Sequence, residues 1–74
     1  MDYATVHRLI EANGYKKVTT EGVLTRFKTS YLKNNDIINI KWEMGGYVKE
    51  VILTNKNNDT ICKNAKQFIK EFNN

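Results

Sequence analysis

The chain contains no proline, a single cysteine and a single histidine among its 74 residues. One cysteine, Cys62, excludes an internal disulfide, so nothing points to an oxidising compartment. A zinc site takes about four Cys, His or carboxylate ligands, and this inventory does not supply them. No metal or other cofactor is expected. No apolar run approaches the roughly 20 residues of a membrane span, and no signal-peptide pattern opens the chain. A cytoplasmic location is expected, with no membrane partner. The basic residues are scattered from Arg8 to Lys70 without a block of like charge, and there are no repeats, linkers or low-complexity stretches.

Hydrophobic residues make up 41% of the chain and charged residues 27%, an ordinary globular composition. The length allows one domain, residues 1–74, with one core. Such a chain buries only about 60% of its unfolded surface, so few apolar residues can be spared from that core. The net charge of +4 favours a polyanionic partner. Ten asparagines, ten lysines and seven isoleucines share AT-rich codons, which suggests a bacterial, phage or mobile-element origin. The sequon Asn58-Asp59-Thr60 is read as a helix cap rather than a glycosylation site.

Asp2 is placed to cap a first helix, with Tyr3, Val6, Leu9 and Ile10 on one stripe, and Asn13-Gly14 is placed to end it. A last helix is expected from a cap at Asn58 or Asp59, its apolar face formed by Ile61, Ala65, Phe68, Ile69 and Phe72 at helical spacing. Between them, residues 15–54 are rich in Val, Ile, Thr and aromatics and are punctuated at Glu21-Gly22, Asn34-Asn35 and Gly45-Gly46. Read as two-residue hairpin turns, these dipeptides set a register. Phe27 falls opposite Trp42, Thr29 opposite Ile40, Tyr31 opposite Ile38, Ile40 opposite Val51, Ile38 opposite Leu53 and Trp42 opposite Lys49. The reverse face pairs Arg26 with Glu43, Lys41 with Glu50 and Leu32 with Ile37, while the first turn places Val18 beside Thr25. The expected fold is α+β in the order αββββα, a four-stranded antiparallel meander with two helices packed on one face.

That leaves the other face bare. Tyr15, Lys17, Arg26, Lys28 and Lys41 on it are the candidate nucleic-acid-binding residues, cations for phosphates and an aromatic for a base. Against this stands an ordinary solvated sheet face, with Glu43 and Glu50 offsetting part of the charge. Leu32, Ile37 and Ile52 are the candidate partner-binding residues, because an apolar patch rimmed by charge commonly marks an interface or self-association surface. Val48 is expected on this face too. On the final helix, Lys63, Lys66 and Lys70 read as a solvated outer stripe, which Lys56 would extend.

For catalysis the one available dyad is Cys62 with His7. A buried structural cysteine and a histidine paired with Glu11 one turn away are the plainer readings. No catalytic residue is assigned, and no small-molecule substrate is evident. The stretch Leu9-Ile10-Glu11-Ala12-Asn13-Gly14-Tyr15, followed by Val18, Gly22 and Phe27, resembles the opening of HicA-type toxins, small basic RNA-cleaving proteins with a double-stranded-RNA-binding-like fold. That family places its catalytic histidine just after the glycine, where this chain has Val23 and Leu24, so no catalytic residue carries over. The functional expectation is a non-catalytic binding protein docking on nucleic acid or a nucleoprotein through its open face. A protein–protein inhibitor or homodimer using the apolar end of that face is the alternative, and a ribonuclease-like toxin relative comes third.

Overall fold

The computed structural model describes residues 1–55 and 58–72. In it Asp2 caps α1 (Tyr3–Ala12) by accepting from the Thr5 amide at 3.1 Å, and Asn13 ends the helix, with Gly14 at φ 91°. Five strands follow: β1 (Lys16–Val23), β2 (Arg26–Lys33), β3 (Asp36–Glu43), β4 (Tyr47–Asn55) and β5 (Asn58–Cys62). Each pairs antiparallel with its chain neighbour, in the order β1-β2-β3-β4-β5. Helix α2 (Ala65–Phe72) closes the chain. The class is α+β as the sequence indicates, with one more strand than expected.

The extra strand comes from residues 58–62. Neither Asn58 nor Asp59 caps a helix; Ile61 pairs with Ile52 and Cys62 with Val51 at the edge of the sheet. β-branched Thr60 and Ile61 fit a pleated surface better than a helical first turn. The cap of α2 is Asn64. Its side chain accepts from the Gln67 amide at 2.9 Å, while the Gln67 side chain accepts from the Lys63 amide at 2.8 Å, a reciprocal arrangement close to a capping box.

The central register is as expected: Phe27 opposite Trp42, Thr29 opposite Ile40, Tyr31 opposite Ile38, and Ile40 opposite Val51. Three details differ. The first turn is Leu24-Thr25, not Glu21-Gly22, and Gly22 lies in the strand opposite Phe27. A Cβ on Gly22 would meet the Phe27 ring at 2.6 Å, so glycine serves here to let an aromatic lie across it. A bulge between Lys17 and Thr19 leaves Val18 unpaired rather than beside Thr25. The third turn holds Met44, Gly45 and Gly46, the glycines at φ 94° and 87°, and a register shift sets Trp42 opposite Val48 instead of Lys49. Val48 consequently turns into the core, where it is 2% exposed.

Val6, Ile10, Tyr31, Ile38, Ile40, Val48, Val51, Cys62 and Phe68 form that core between the helices and one face of the sheet. Phe27 and Trp42 are half-buried, not fully covered. They begin a stack with ring centroids 4.5 Å apart for Phe27 and Trp42, 4.1 Å for Trp42 and Tyr3, and 5.7 Å for Tyr3 and His7. Beneath the stack sits fully buried Thr29. Its hydroxyl accepts from Trp42 Nε1 at 2.9 Å and from the Tyr3 hydroxyl at 3.3 Å, and lies 3.1 Å from Thr20 Oγ1. The Tyr31 hydroxyl lies 3.4 Å from that of Tyr3 and 2.6 Å from His7 Nδ1, and His7 Nε2 lies 3.0 Å from Glu11.

Two expectations follow. Leu24 has φ 59° and is 92% exposed, a left-handed position that costs a bulky residue about 1–2 kcal/mol. Leu24→Asn should raise stability by about 1 kcal/mol, read as a melting temperature higher by roughly 4–8 °C; an unchanged or lower value would contradict strain at this turn.

The second expectation concerns pH. Burial raises the Tyr31, Tyr15 and Cys62 pKa values, with the Tyr3 hydrogen bond adding at Tyr31, Asp36 at Tyr15 and Glu71 at Cys62. Acids raised in the folded state hold protons that the unfolded chain has lost, so their contribution is complete below the unfolded values and drains as pH rises. Stability should decline above about pH 8.5, where an unfolded thiol ionises, and more steeply above about pH 10, where unfolded tyrosines do. Denaturant midpoints across that range provide the check, and a flat profile would contradict it.

Candidate functional site

Both helices pack on one side of the sheet, and the other side carries four cross-strand rows. Lys16, Leu32, Ile37, Thr54 and Asp59 form the first; Thr19, Ser30, Asn39, Ile52 and Ile61 the second. Glu21, Lys28, Lys41 and Glu50 form the third, and Val23, Arg26, Glu43 and Tyr47 the fourth, at the hairpin tips. These rows follow from the ladder, because directly opposite residues of antiparallel strands share a face.

The first two rows hold the aliphatic cluster, while exposed Val23 and Tyr47 stand apart in the fourth row at the hairpin tips. Leu32 is 44% exposed, Ile37 is 40% exposed, and half-buried Ile52 lies diagonal to Ile37. The structure therefore brings together the three apolar residues singled out in the sequence. It adds Ile61, 51% exposed and directly opposite Ile52. The spacing of Ile61 to Ala65 and Phe68 matches a helix and hides it in the sequence; the β-branched pair Thr60-Ile61 is the signal for a strand.

The basic set divides. Arg26, Lys28 and Lys41 lie together on the open face. Lys17 does not join them: the register sets it opposite Tyr31, so the expected open-face placement is corrected to the helix-covered side of edge strand β1. The bulge at Val18 is the physical reason, since one extra residue inverts which side chains of the strand face the helices. Tyr15 is likewise displaced. It precedes β1 and packs edge-on against Phe72 of α2, centroids 6.2 Å apart, with Lys33 Nζ 5.6 Å from its ring centre.

Arg26, Lys28 and Lys41 line a groove of about 550 Å³ together with Glu21, Glu43 and Glu50. Lys28 Nζ lies 3.9 Å from Glu21 and Lys49 Nζ 4.0 Å from Glu43, while Arg26 and Lys41 form no ion pair among the described residues. The groove thus carries both signs of charge, with a lysine pair directly across adjacent strands at its centre.

His7 pairs with Glu11 as the sequence suggests, but its other ring nitrogen meets the buried Tyr31 hydroxyl. Cys62 ends β5 rather than starting a helix, and it is 1% exposed with its thiol pKa raised by burial. Among the described residues no group of three or more His, Cys, Asp and Glu side chains is placed to hold a metal ion, and no helix is long and apolar enough to cross a membrane. Lys63, Lys66 and Lys70 are exposed, and Lys56 lies outside the described residues. Comparison with known proteins places the chain in no family: no family model, curated protein or solved structure matches it.

Proposed function

We propose that this chain is a non-catalytic binding protein that docks a protein partner on the bare face of its sheet. One observation supports the reading above all: Leu32, Ile37, Ile52 and Ile61 form a contiguous, substantially exposed apolar patch on a face that neither helix covers. A chain this small needs its apolar side chains for the core, and four left together outside it mark an interaction surface. The engagement of both His7 ring nitrogens and the burial of Cys62 favour binding over catalysis. A bacterial cytoplasm, a host's if the chain is phage encoded, is the proposed setting.

The surrounding charges favour protein over nucleic acid. Duplex DNA presents one negative charge per roughly 1.7 Å of its axis, and a surface that tracks it needs cations without interruption. Here Glu21, Glu43 and Glu50 stand among Arg26, Lys28, Lys41 and Lys49. Nucleic acid or a nucleoprotein is the second reading, supported by Arg26, Lys28 and Lys41 on one groove and by the net charge of +4.

The test compares Ile37→Asp with a paired Arg26→Glu and Lys28→Glu variant. Both changes lie on the bare face, so both proteins should melt within roughly 1 kcal/mol of the parent. With a purified partner, first recovered from nuclease-treated lysate, Ile37→Asp should weaken binding by about 2 kcal/mol or more, because it sets a charge in an apolar contact. If nuclease abolishes recovery and affinity falls steeply with salt, the nucleic-acid reading replaces this one. If Ile37→Asp unfolds the chain, Ile37 is core and the docking face is wrong.

A further inference from the structure

The third row of the open face reads acidic, basic, basic, acidic: Glu21, Lys28, Lys41, Glu50. Lys28 and Lys41 stand directly opposite on adjacent central strands, where like charges are destabilising. Arg26, two residues from Lys28 on the same strand, puts a third cation beside them in the groove. Glu21 approaches Lys28 from the outer strand at 3.9 Å, and Lys41 forms no ion pair among the described residues. Within this row the free protein thus holds a lysine pair between two negative flanks, about 7 Å along the strands from the nearest apolar row, and Glu43 stands opposite Arg26 in the row beyond.

We propose, building on the docking face above, that Arg26, Lys28 and Lys41 are the seat for acidic side chains of the partner. The partner surface then presents a carboxylate pair between basic groups, next to an apolar patch that meets Ile52 and Ile61. Its carboxylates relieve the Lys28–Lys41 repulsion while its cations meet Glu21 and Glu50. A second copy of this chain centred on this row does not satisfy the pattern. A face-to-face two-fold running between β2 and β3 lays Lys28 over Lys41 and Glu21 over Glu50, and a two-fold along the row lays each residue over itself. Either arrangement stacks like on like. A phosphate backbone fits poorly too, because its next charges fall on the flanking glutamates.

Two blocked peptides of identical composition and net charge, Lys-Glu-Glu-Lys and Glu-Lys-Lys-Glu, test the seat without the partner in hand. In amide chemical-shift titrations of the full chain, Lys-Glu-Glu-Lys should shift Arg26, Lys28 and Lys41 with roughly millimolar affinity. Glu-Lys-Lys-Glu should leave them unmoved. Lys41→Gln, with its spectrum otherwise retained, should weaken the first peptide about fivefold. Equal response to both peptides, no response to either, or tighter binding of an oligothymidylate at the same residues would overturn the inference. Loss of partner binding by Ile37→Asp is a separate measurement, so the docking face can stand where the acidic seat falls, and the reverse.

Discussion

The hydroxyl of Thr29 is the junction on which the arrangement of helix and sheet depends. It is fully buried, and it accepts from Trp42 and Tyr3 while its own proton can go to Thr20, which uses its one donor and two acceptor positions. Tyr3 belongs to α1, Trp42 to β3 and Thr20 to β1, so one small side chain ties the helix to a central strand and to an edge. An aliphatic group there would leave the indole N–H without its partner in an apolar setting. From Tyr3 the chain of hydroxyls runs on through Tyr31 to His7 and Glu11. It satisfies its members in either direction. Tyr31 donates to His7 when Nδ1 is bare, and the chain reverses toward Thr29 when Nδ1 carries a proton.

That same junction explains why one face is left bare. Tyr3, Trp42, Phe27 and His7 are drawn into a stack on the helical side, and α1 and α2 are both spent covering the core there. No further described element remains for the opposite side, which ends up with mixed charge at the hairpin tips and aliphatic side chains toward the other end. The combination is a sheet packed against the core on one face and chemically differentiated on its open one.

The centre of the fold was legible in the sequence and its margins were not. Asn34-Asn35 is a hairpin turn of two residues, and from it the alternation of Phe27, Thr29 and Tyr31 against Trp42, Ile40 and Ile38 follows without ambiguity. At the margins, local signals competed. Glycine at position 22 reads as a turn, and only the ring of Phe27 lying over it shows otherwise. The segment holding Ile61 and Cys62 carries a helical spacing and a strand composition at once, and the open edge of β4 decided between them. The open face inherits these margins. Leu32, Ile37, Ile52, Arg26, Lys28 and Lys41 sit on strands whose register was readable and were placed correctly. Lys17 and Tyr15 sit beyond a bulge that no residue type announces, and they were not.

The first three residues lie alongside β4 where β5 does not reach. The Val48 amide donates to the Met1 carbonyl at 2.9 Å, and the Tyr3 amide to the Gly46 carbonyl at 2.7 Å. Among the described residues every pairing between the five strands joins neighbours in the chain, so the hairpins can close one after another with short loops and little entropy to overcome. This stitch is different, because it waits for β4 to be in place before the N-terminus has anything to pair with. Folding should therefore end there, and transient opening should begin there. The slow-exchanging amides are to be sought in β2 and β3, and the earliest-exchanging partners of a regular hydrogen bond at Tyr3 and Val48.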